Sequence, residues 1–198
     1  MLNGQWLDSS SANDEPWLDR ANSFGDGLFE TMFVYSGKIF LVDYHMQRLL
    51  DGTQRLGIAL DEEKLRAEVN RYLAVLSPAS TYKLKLIVRR GSSKSGYWQS
   101  GLVANRILFA DPVDVDLSSK SAKTVFSSIT LSHQPVLAGI KHCNRLEQVL
   151  AMREAKSLGA DEAFMFDADS NLVEAISANV FVFDGESLST PAIAGSGV

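Results

Sequence analysis

The first half of the chain alternates apolar and polar residues over several short segments, which is typical of strands in an antiparallel sheet. A turn at Ser36-Gly37 separates two of these segments, so we expect a hairpin there. The predicted strands are MLNGQWL at the start, LFETMFVY and KIFL on either side of the turn, and TYKLKLIVRR and ANRILFADPV farther along. Together they predict a small sheet that ends near Pro112.

Two segments between these strands place apolar residues at helical spacing. Asp43 is expected to cap the first helix and Gly57 to end it, because a short polar side chain accepts from free amides and glycine tolerates the left-handed conformation. Asp61 is expected to cap the second helix, which Ser77-Pro78 stops. The residues predicted to share the apolar faces are Met46, Leu49, Leu50 and Leu56, then Leu65, Val69, Tyr72, Leu73 and Leu76. Residues 1–112 therefore predict a small α+β domain.

A polar segment without large side chains follows and predicts a linker at residues 113–121. Beyond it the pattern predicts a strand in KTVFSSITLS, a loop, and a helix from about Asn144 to Leu158 that Gly159 closes. Two apolar strands that turn at residues 168–171 come next. We expect residues 122–198 to form a second, C-terminal domain.

Composition and charge narrow the class of protein. The 198 residues are 45% hydrophobic and 22% charged, which is ordinary for a folded globular protein. A net charge of −5 gives no general attraction to nucleic acid, and the single Cys143 excludes an intrachain disulfide. The N-terminus lacks a signal-peptide pattern, and no apolar run reaches the ~18 residues of a membrane span. We expect a cytoplasmic protein that binds a small molecule and neither nucleic acid nor a membrane.

Two residues of the second half carry the candidate chemistry. Lys141 follows a glycine in the loop before the predicted helix, and Glu174 interrupts an apolar strand, where a buried carboxylate needs a partner. A lysine for the aldehyde and a carboxylate for the ring nitrogen are the groups that pyridoxal phosphate chemistry requires. A solvated lysine at a helix start and a glutamate on the wet face of a hairpin are the alternatives.

Cationic side chains elsewhere suit anionic groups of a ligand. Arg48, on the first predicted helix, can bind a phosphate through two parallel hydrogen bonds, although a surface arginine is the alternative. The segment VRRGSSKSGYW places Arg90 and Lys94 at a strand end, which predicts either a substrate-carboxylate loop or a solubilising hairpin tip. The chain has no GxSxG, GxxxxGK[ST] or HExxH motif, and its scattered histidines do not predict a metal site.

Taken together, these motifs resemble the fold-type IV pyridoxal phosphate enzymes, which include branched-chain aminotransferases, D-amino-acid aminotransferases and 4-amino-4-deoxychorismate lyases. The matching segments are DRANSFGDGLFET, HMQRL, RGSSKSGY, LAGIKHCNRLEQVLA, DEAFMFDADSNLVEAISANVFVF and TPAIAGSGV, in order over nearly the whole chain. KHCNRLEQ is most similar to the lyases. A glycine-rich stretch with a tyrosine would mark the branched-chain enzymes, and the arginine-to-histidine pattern of the D-amino-acid enzymes is absent from RGSSKSGYW.

The resemblance implies a two-domain α+β fold of the D-amino-acid aminotransferase type, pyridoxal 5'-phosphate as cofactor, and a homodimer with its active site near the interface. It implies that Lys141 bonds to the cofactor aldehyde, that Glu174 pairs with the ring nitrogen and that Arg48 binds the phosphate. The remaining implied roles are cofactor contact for Ser177, Ala178 and Asn179, catalysis for Thr31, and substrate-carboxylate binding for Arg90 or Lys94.

The implied reaction is loss of pyruvate from 4-amino-4-deoxychorismate to give 4-aminobenzoate, a folate precursor. The freed amine of Lys141 would remove the proton from the amine-bearing carbon. Relatives continue past the GV that ends this sequence, so we expect the C-terminal domain to be a truncated, incomplete form of a large cofactor-binding domain, with exposed apolar surface and weak cofactor retention. A transaminase acting on D- or branched-chain amino acids, and a non-catalytic remnant that only associates, are the alternatives.

Overall fold

The computed structural model describes residues 3–6, 20–91, 96–97, 102–114, 121–193 and 195–198, and its contacts divide the chain into two units. The first unit comprises residues 1–116 and 141–144, and the second comprises residues 117–140 and 145–198. The short segment 141–144 thus belongs to the first unit. The predicted domains, 1–112 and 122–198, did not include this return of the chain. Most of the predicted linker, residues 115–120, lies outside the described residues.

A four-stranded antiparallel sheet forms the base of the first unit. Its strands are β1 (Gly27–Tyr35), β2 (Lys38–Ile39), β3 (Tyr82–Arg89) and β4 (Asn105–Pro112), in the order β2-β1-β3-β4. Its helices are α1 (Arg20–Phe24), α2 (Val42–Leu56) and α3 (Glu62–Leu73), of which α2 packs on β1 and α3 on β4. The predicted strands are confirmed except MLNGQWL, where Asn3 and Gly4 form a turn, and KIFL is shorter than expected.

Strand alternation separates the two faces of this sheet. Cross-strand pairs such as Met32 with Leu84 and Glu30 with Leu86 point into the core, because alternate side chains of a strand share one face. The large core side chains are Leu28, Met32, Val34, Met46, Leu49, Leu65, Leu84, Leu86 and Leu108. The opposite side of the sheet, here named the outer face, carries Phe29, Thr31 and Phe33 of β1, Lys83 and Lys85 of β3, and Phe109 of β4.

The ends of α2 and α3 test the predicted caps. Gly57 ends α2 in the left-handed conformation with φ of 64°, and the Asp61 side chain accepts from the Lys64 amide at 3.0 Å, so both predictions are confirmed. The prediction that Asp43 caps α2 was wrong. Leu41 is the N-cap, with φ of 53° and no side-chain cap, because the turn after β2 lets the helix start at residue 42 and leaves Asp43 in its first turn.

The second unit is built on a mixed three-stranded sheet. Strand β5 (Thr124–Leu131) pairs in parallel with β6 (Glu162–Asp167), and β7 (Leu172–Ala175) pairs antiparallel with β6. Helix α4 (Leu146–Ser157) connects β5 to β6 and packs on both, whereas β8 (Val182–Phe183) and β9 (Leu188–Ser189) form a separate hairpin. These elements confirm the predicted strand, helix and apolar hairpin. Within the described ranges, no helix is both long and apolar enough to cross a membrane.

Candidate active site

Lys141 lies in an extended segment that pairs with the start of β1. The Phe29 amide donates to the Lys141 carbonyl oxygen at 2.8 Å, and the Cys143 amide donates to the Gly27 carbonyl oxygen at 2.9 Å. Between these two bonds, His142 forms an antiparallel bridge with β1. Because the other edge of β1 pairs with β3, the backbone of Lys141 is fixed to the sheet, five residues before α4 begins.

A glycine makes this pairing possible at the turn before β1. Gly25 has φ of 66°, and a Cβ built on it would lie 2.0 Å from Oδ1 of Asn144. Any larger residue would therefore displace the Asn144 side chain, besides adopting a strained backbone conformation. The FGDG and KHCN motifs meet at this contact.

The side chain of Lys141 lies against the outer face. Its Nζ is 5.2 Å from the centroid of the Phe29 ring, and Nζ of Lys85 is 4.9 Å from the same centroid. Thr31 is the next residue of β1 on this face and pairs with Lys85 across the strands. The structure therefore places the predicted Lys141 and Thr31 on the same face of the sheet. Sequence reasoning did not single out Phe29 or Lys85, although the period of the strand was a signal for Phe29.

Arg48 binds a buried carboxylate from the core side of β1. Its Nε and Nη2 donate to the two oxygens of Glu30 at 2.7 and 2.6 Å, and Nδ1 of His45 lies 2.8 Å from Oε2. Burial opposes ionisation of Glu30, but the hydrogen bonds of Arg48 and His45 outweigh it and lower the pKa of the Glu30 carboxyl below its ordinary value. The Arg48 side chain stays 31% exposed while Glu30 is 1% exposed, so one end of this pair faces solvent.

Arg90 is engaged within the first unit. Its Nε donates to Oδ2 of Asp26 at 2.8 Å, and its two terminal nitrogens donate to the carbonyl oxygens of Leu56 and Gly57 at 2.5 and 2.7 Å. The guanidinium thereby binds Asp26 and the C-terminal end of α2 with three of its five N–H groups. Lys94, the other predicted substrate residue, lies outside the described residues.

In the second unit, Glu174 lies on β7 and is 9% exposed. Its Oε1 accepts from Nε2 of Gln148 at 3.1 Å, and its Oε2 accepts from the Val198 amide at 3.0 Å. Nη1 of Arg145 is 3.8 Å from Oε1. These contacts exclude a carboxylate on a wet hairpin face. Since each carboxylate oxygen accepts up to two hydrogen bonds, Glu174 keeps capacity for a further donor.

Gln148 is a site residue that sequence reasoning missed. The buried residues of α4 are Gln148, Ala151 and Ala155, which share one helical face because they are three and four positions apart. A single amide on an otherwise small apolar face was the available signal. Among the described residues, Oε1 of Gln148 is buried without a hydrogen-bond partner.

The GSG sequence before Val198 is held by its backbone. The carbonyl oxygens of Gly195 and Gly197 accept from the amides of Gln134 and Gly139 at 2.7 and 2.9 Å. A Cβ on Gly195 would lie 2.0 Å from the His133 ring, so any larger residue there would have to displace that ring. The segment thereby reaches Glu174 through the Val198 amide described above.

The other predicted cofactor residues lie in the turn after β7. Successive residues of a strand point to opposite faces, so Ala175 faces away from the α4 side to which Glu174 points. Ala175, Ala178 and Asn179 line a cavity of about 420 Å³ in the second unit. Ser177 lies in the same turn. The structure thus places Ala178 and Asn179 at this cavity.

Comparison with known proteins bears on the fold and the family. The sequence pattern of the class IV amino-transferases matches residues 27–198. A crystal structure of 4-amino-4-deoxychorismate lyase from Pseudomonas aeruginosa is similar with a TM-score of 0.86 and 33% identity, covering 100% of this chain and 72% of that chain. The expected fold class is therefore confirmed.

Relatives with other names are similar too. A Methanocaldococcus jannaschii protein, provisionally named a branched-chain-amino-acid aminotransferase, is 30% identical over 196 residues, which is 97% of this chain and 67% of the relative. A D-alanine aminotransferase from Bacillus licheniformis is 29% identical over 168 residues, which is 83% of this chain and 58% of the relative. The chain thus spans roughly two thirds of the length of such relatives, and they differ in the reactions they are named for.

Proposed function

Because this chain belongs to the class IV aminotransferase family, we propose that it is a pyridoxal 5'-phosphate-dependent lyase that converts 4-amino-4-deoxychorismate to 4-aminobenzoate and pyruvate. One observation carries the proposal: the lyase-like segment KHCNRLEQ supplies both Lys141, fixed beside β1, and Gln148, which holds Glu174. The 33% identity to the Pseudomonas aeruginosa lyase supports the same reaction.

Two features, one in each unit, support the choice of this cofactor. Glu174 is buried, carries two hydrogen bonds and keeps acceptor capacity, which suits a protonated ring nitrogen. Arg48 is oriented by Glu30 and partly open to solvent, which suits a phosphate. When bound, the cofactor supplies a ring that takes up the electron pair released as the amine-bearing carbon of the substrate loses its proton.

Lys141 has two roles in this proposal. Its Nζ would hold the cofactor aldehyde in the resting site, and the amine, when free, would remove the proton from the amine-bearing carbon of the substrate. The same nitrogen can return a proton to the departing enolpyruvate group. General acid-base catalysis of this kind contributes about 10²–10⁴ in rate. Thr31, which lies on the same face of the sheet as Phe29, is proposed to assist at the substrate.

The remaining residues bind and orient. Gln148 and the Val198 amide hold the Glu174 carboxylate in one orientation, so that its charge stays directed at a single donor. Arg48 is proposed to bind the phosphate, and a homodimer is proposed as the working form. The residues proposed to complete the site are Ser177, Ala178 and Asn179 toward the cofactor, and Arg90 and Lys94 toward the substrate carboxylates.

A product assay tests the proposal. Purified protein with pyridoxal 5'-phosphate and 4-amino-4-deoxychorismate is expected to release pyruvate and 4-aminobenzoate in equal amounts, without an added keto acid. Lys141→Ala should lower the rate at least ~10²-fold, whereas Lys83→Ala, on the same sheet, should not. Absence of 4-aminobenzoate from a cofactor-loaded protein would contradict the lyase.

A transaminase is the second candidate, and the 30% identical Methanocaldococcus jannaschii relative favours it. The two reactions separate cleanly, because a transaminase needs an amino acid and a keto acid as partners. Conversion of 2-oxoglutarate to glutamate with a branched-chain amino acid or D-alanine, in a preparation that releases no 4-aminobenzoate, would favour the transaminase.

A further inference from the structure

One aromatic ring on the outer face lies against the amines of two lysines. Nζ of Lys141 and Nζ of Lys85 are 5.2 and 4.9 Å from the centroid of Phe29. Both distances fall within the ~6 Å over which an aromatic ring attracts a cation. Because they end at the same centroid, the two nitrogens are no farther apart than the sum of these distances, which is close to the screening length of ~10 Å at 0.1 M salt.

We propose that Phe29 is a positioning residue, which holds the Lys141 amine on the outer face and couples it to the charge of Lys85. The inference rests on the proposed function, in which Lys141 is the reacting amine. The ring favours the ammonium form of Lys141, since only the cation is attracted to it. The neighbouring positive charge of Lys85 favours the neutral amine, which is the form that bonds to an aldehyde.

The neighbouring side chains single out this pair of lysines. Lys85 has uncharged cross-strand partners, Thr31 on β1 and Phe109 on β4. Lys83, two residues earlier on the same strand and face, pairs instead with Asp111 on β4. Lys83 therefore serves as a control, because it lies on the same strand and face but has a different charge partner.

Competitive acetylation tests the role of the ring without any cofactor. Limiting acetic anhydride at pH 7 reacts only with neutral amines, and peptide mass spectrometry reads the relative rate at Lys141. Phe29→Leu removes the cation–π contact and is expected to raise this rate about two- to tenfold. Phe29→Tyr keeps the ring face and is expected to return it to within about twofold of the unchanged protein.

The charge of Lys85 has the opposite expected effect. Lys85→Met removes a positive neighbour, so the ammonium form of Lys141 is favoured and its acetylation is expected to slow about twofold. Lys83→Met and Phe33→Leu, on the same face, are expected to leave the Lys141 rate unchanged. An unchanged Lys141 rate in Phe29→Leu, or an equal rise in Phe33→Leu, would overturn the proposal.

Two features of the design keep the outcomes separate. Circular dichroism checks each variant, and if Phe29→Leu does not fold, Phe29→Tyr and Lys85→Met still test the coupling. The acetylation pattern does not depend on pyridoxal 5'-phosphate. If acetylation follows the expected pattern but borohydride reduction leaves no pyridoxyl group on Lys141, the positioning role is retained and the proposed function is rejected. If Lys141 carries the pyridoxyl group but its acetylation rate does not depend on Phe29, the proposed function is retained and the positioning role is rejected.

Discussion

The two units bury different kinds of side chain. The first packs large residues such as Leu28, Leu84 and Leu86 between its sheet and two helices. The second packs alanines of α4 and β6 around the larger Leu131 and Met165. The first unit therefore has the interior that stabilises a fold by burial, whereas the second gains less from its interior per residue.

The small residues of the second unit have a different consequence. Ala151 and Ala155 let α4 approach its sheet closely, because little side-chain volume separates the helix from the strands. Gln148, on the same helical face, thereby comes within 3.1 Å of Glu174. Large core residues thus stabilise the first unit, whereas small ones in the second place the Gln148 amide beside the Glu174 carboxylate.

The largest effect is expected in the core of the first unit. Leu86→Ala removes a fully buried side chain and should lower the free energy of unfolding by about 2–5 kcal/mol, through lost burial and a cavity. Urea denaturation measures the change. The exposed Lys83→Ala on the same strand should change it by less than about 0.5 kcal/mol. A loss below about 1 kcal/mol for Leu86→Ala would contradict the claim that large buried side chains stabilise the first unit.

The second unit should instead respond to a larger side chain. Ala155→Leu overpacks a fully buried position and is expected to cost about 1–3 kcal/mol. It should also move α4 away from β7, so the Gln148 amide protons, followed by NMR, should shift as their bond to Glu174 lengthens. Arg153→Leu, on the exposed side of the same helix, is the control. Tolerance of leucine at both positions would show that α4 is not closely packed.

The pH dependence of stability tests the contribution of the buried Glu30 carboxylate to the first unit. Its pKa is lowered in the folded protein, so its contribution is complete above the ordinary value of 4.5 and is lost as the pH falls through the lowered value. Glu30→Gln should cost about 1–2 kcal/mol at pH 7 and flatten the decline in stability below pH 4.5. Denaturation from pH 7 to 3 measures both, with Glu62→Gln in an exposed pair as control. An unchanged acid slope would contradict this role.

Local patterns predicted most of the fold. The alternation in LFETMFVY predicted β1, and glycine and aspartate chemistry predicted the end of α2 at Gly57 and the cap of α3 at Asp61. Leu41 as the start of α2 was not predictable, because nothing in a leucine side chain favours a left-handed conformation. The return of residues 141–144 to β1 depends on pairing between distant segments, which no local period encodes.

The candidate site was predictable in its chemistry more than in its contacts. Glu174 was recognisable as a carboxylate in an apolar strand, but its bond to Gln148 depends on how α4 packs on the sheet. Arg48 was recognisable as a cation on a helix face, whereas its pairing with Glu30 needed the alternation of β1 and the packing of α2 together. The roles of Lys141, Glu174 and Arg48 toward a cofactor stay predictions.

Borohydride reduction after incubation with pyridoxal 5'-phosphate tests the proposed role of Lys141 most directly. Reduction fixes the cofactor to any lysine bonded to its aldehyde, and peptide mapping identifies that lysine. We predict a pyridoxyl group on Lys141, none on Lys83 or Lys85, and less label in Glu174→Gln, which loses the partner proposed for the ring nitrogen. A protein without label at Lys141, or with label spread evenly over its lysines, would contradict the proposed function.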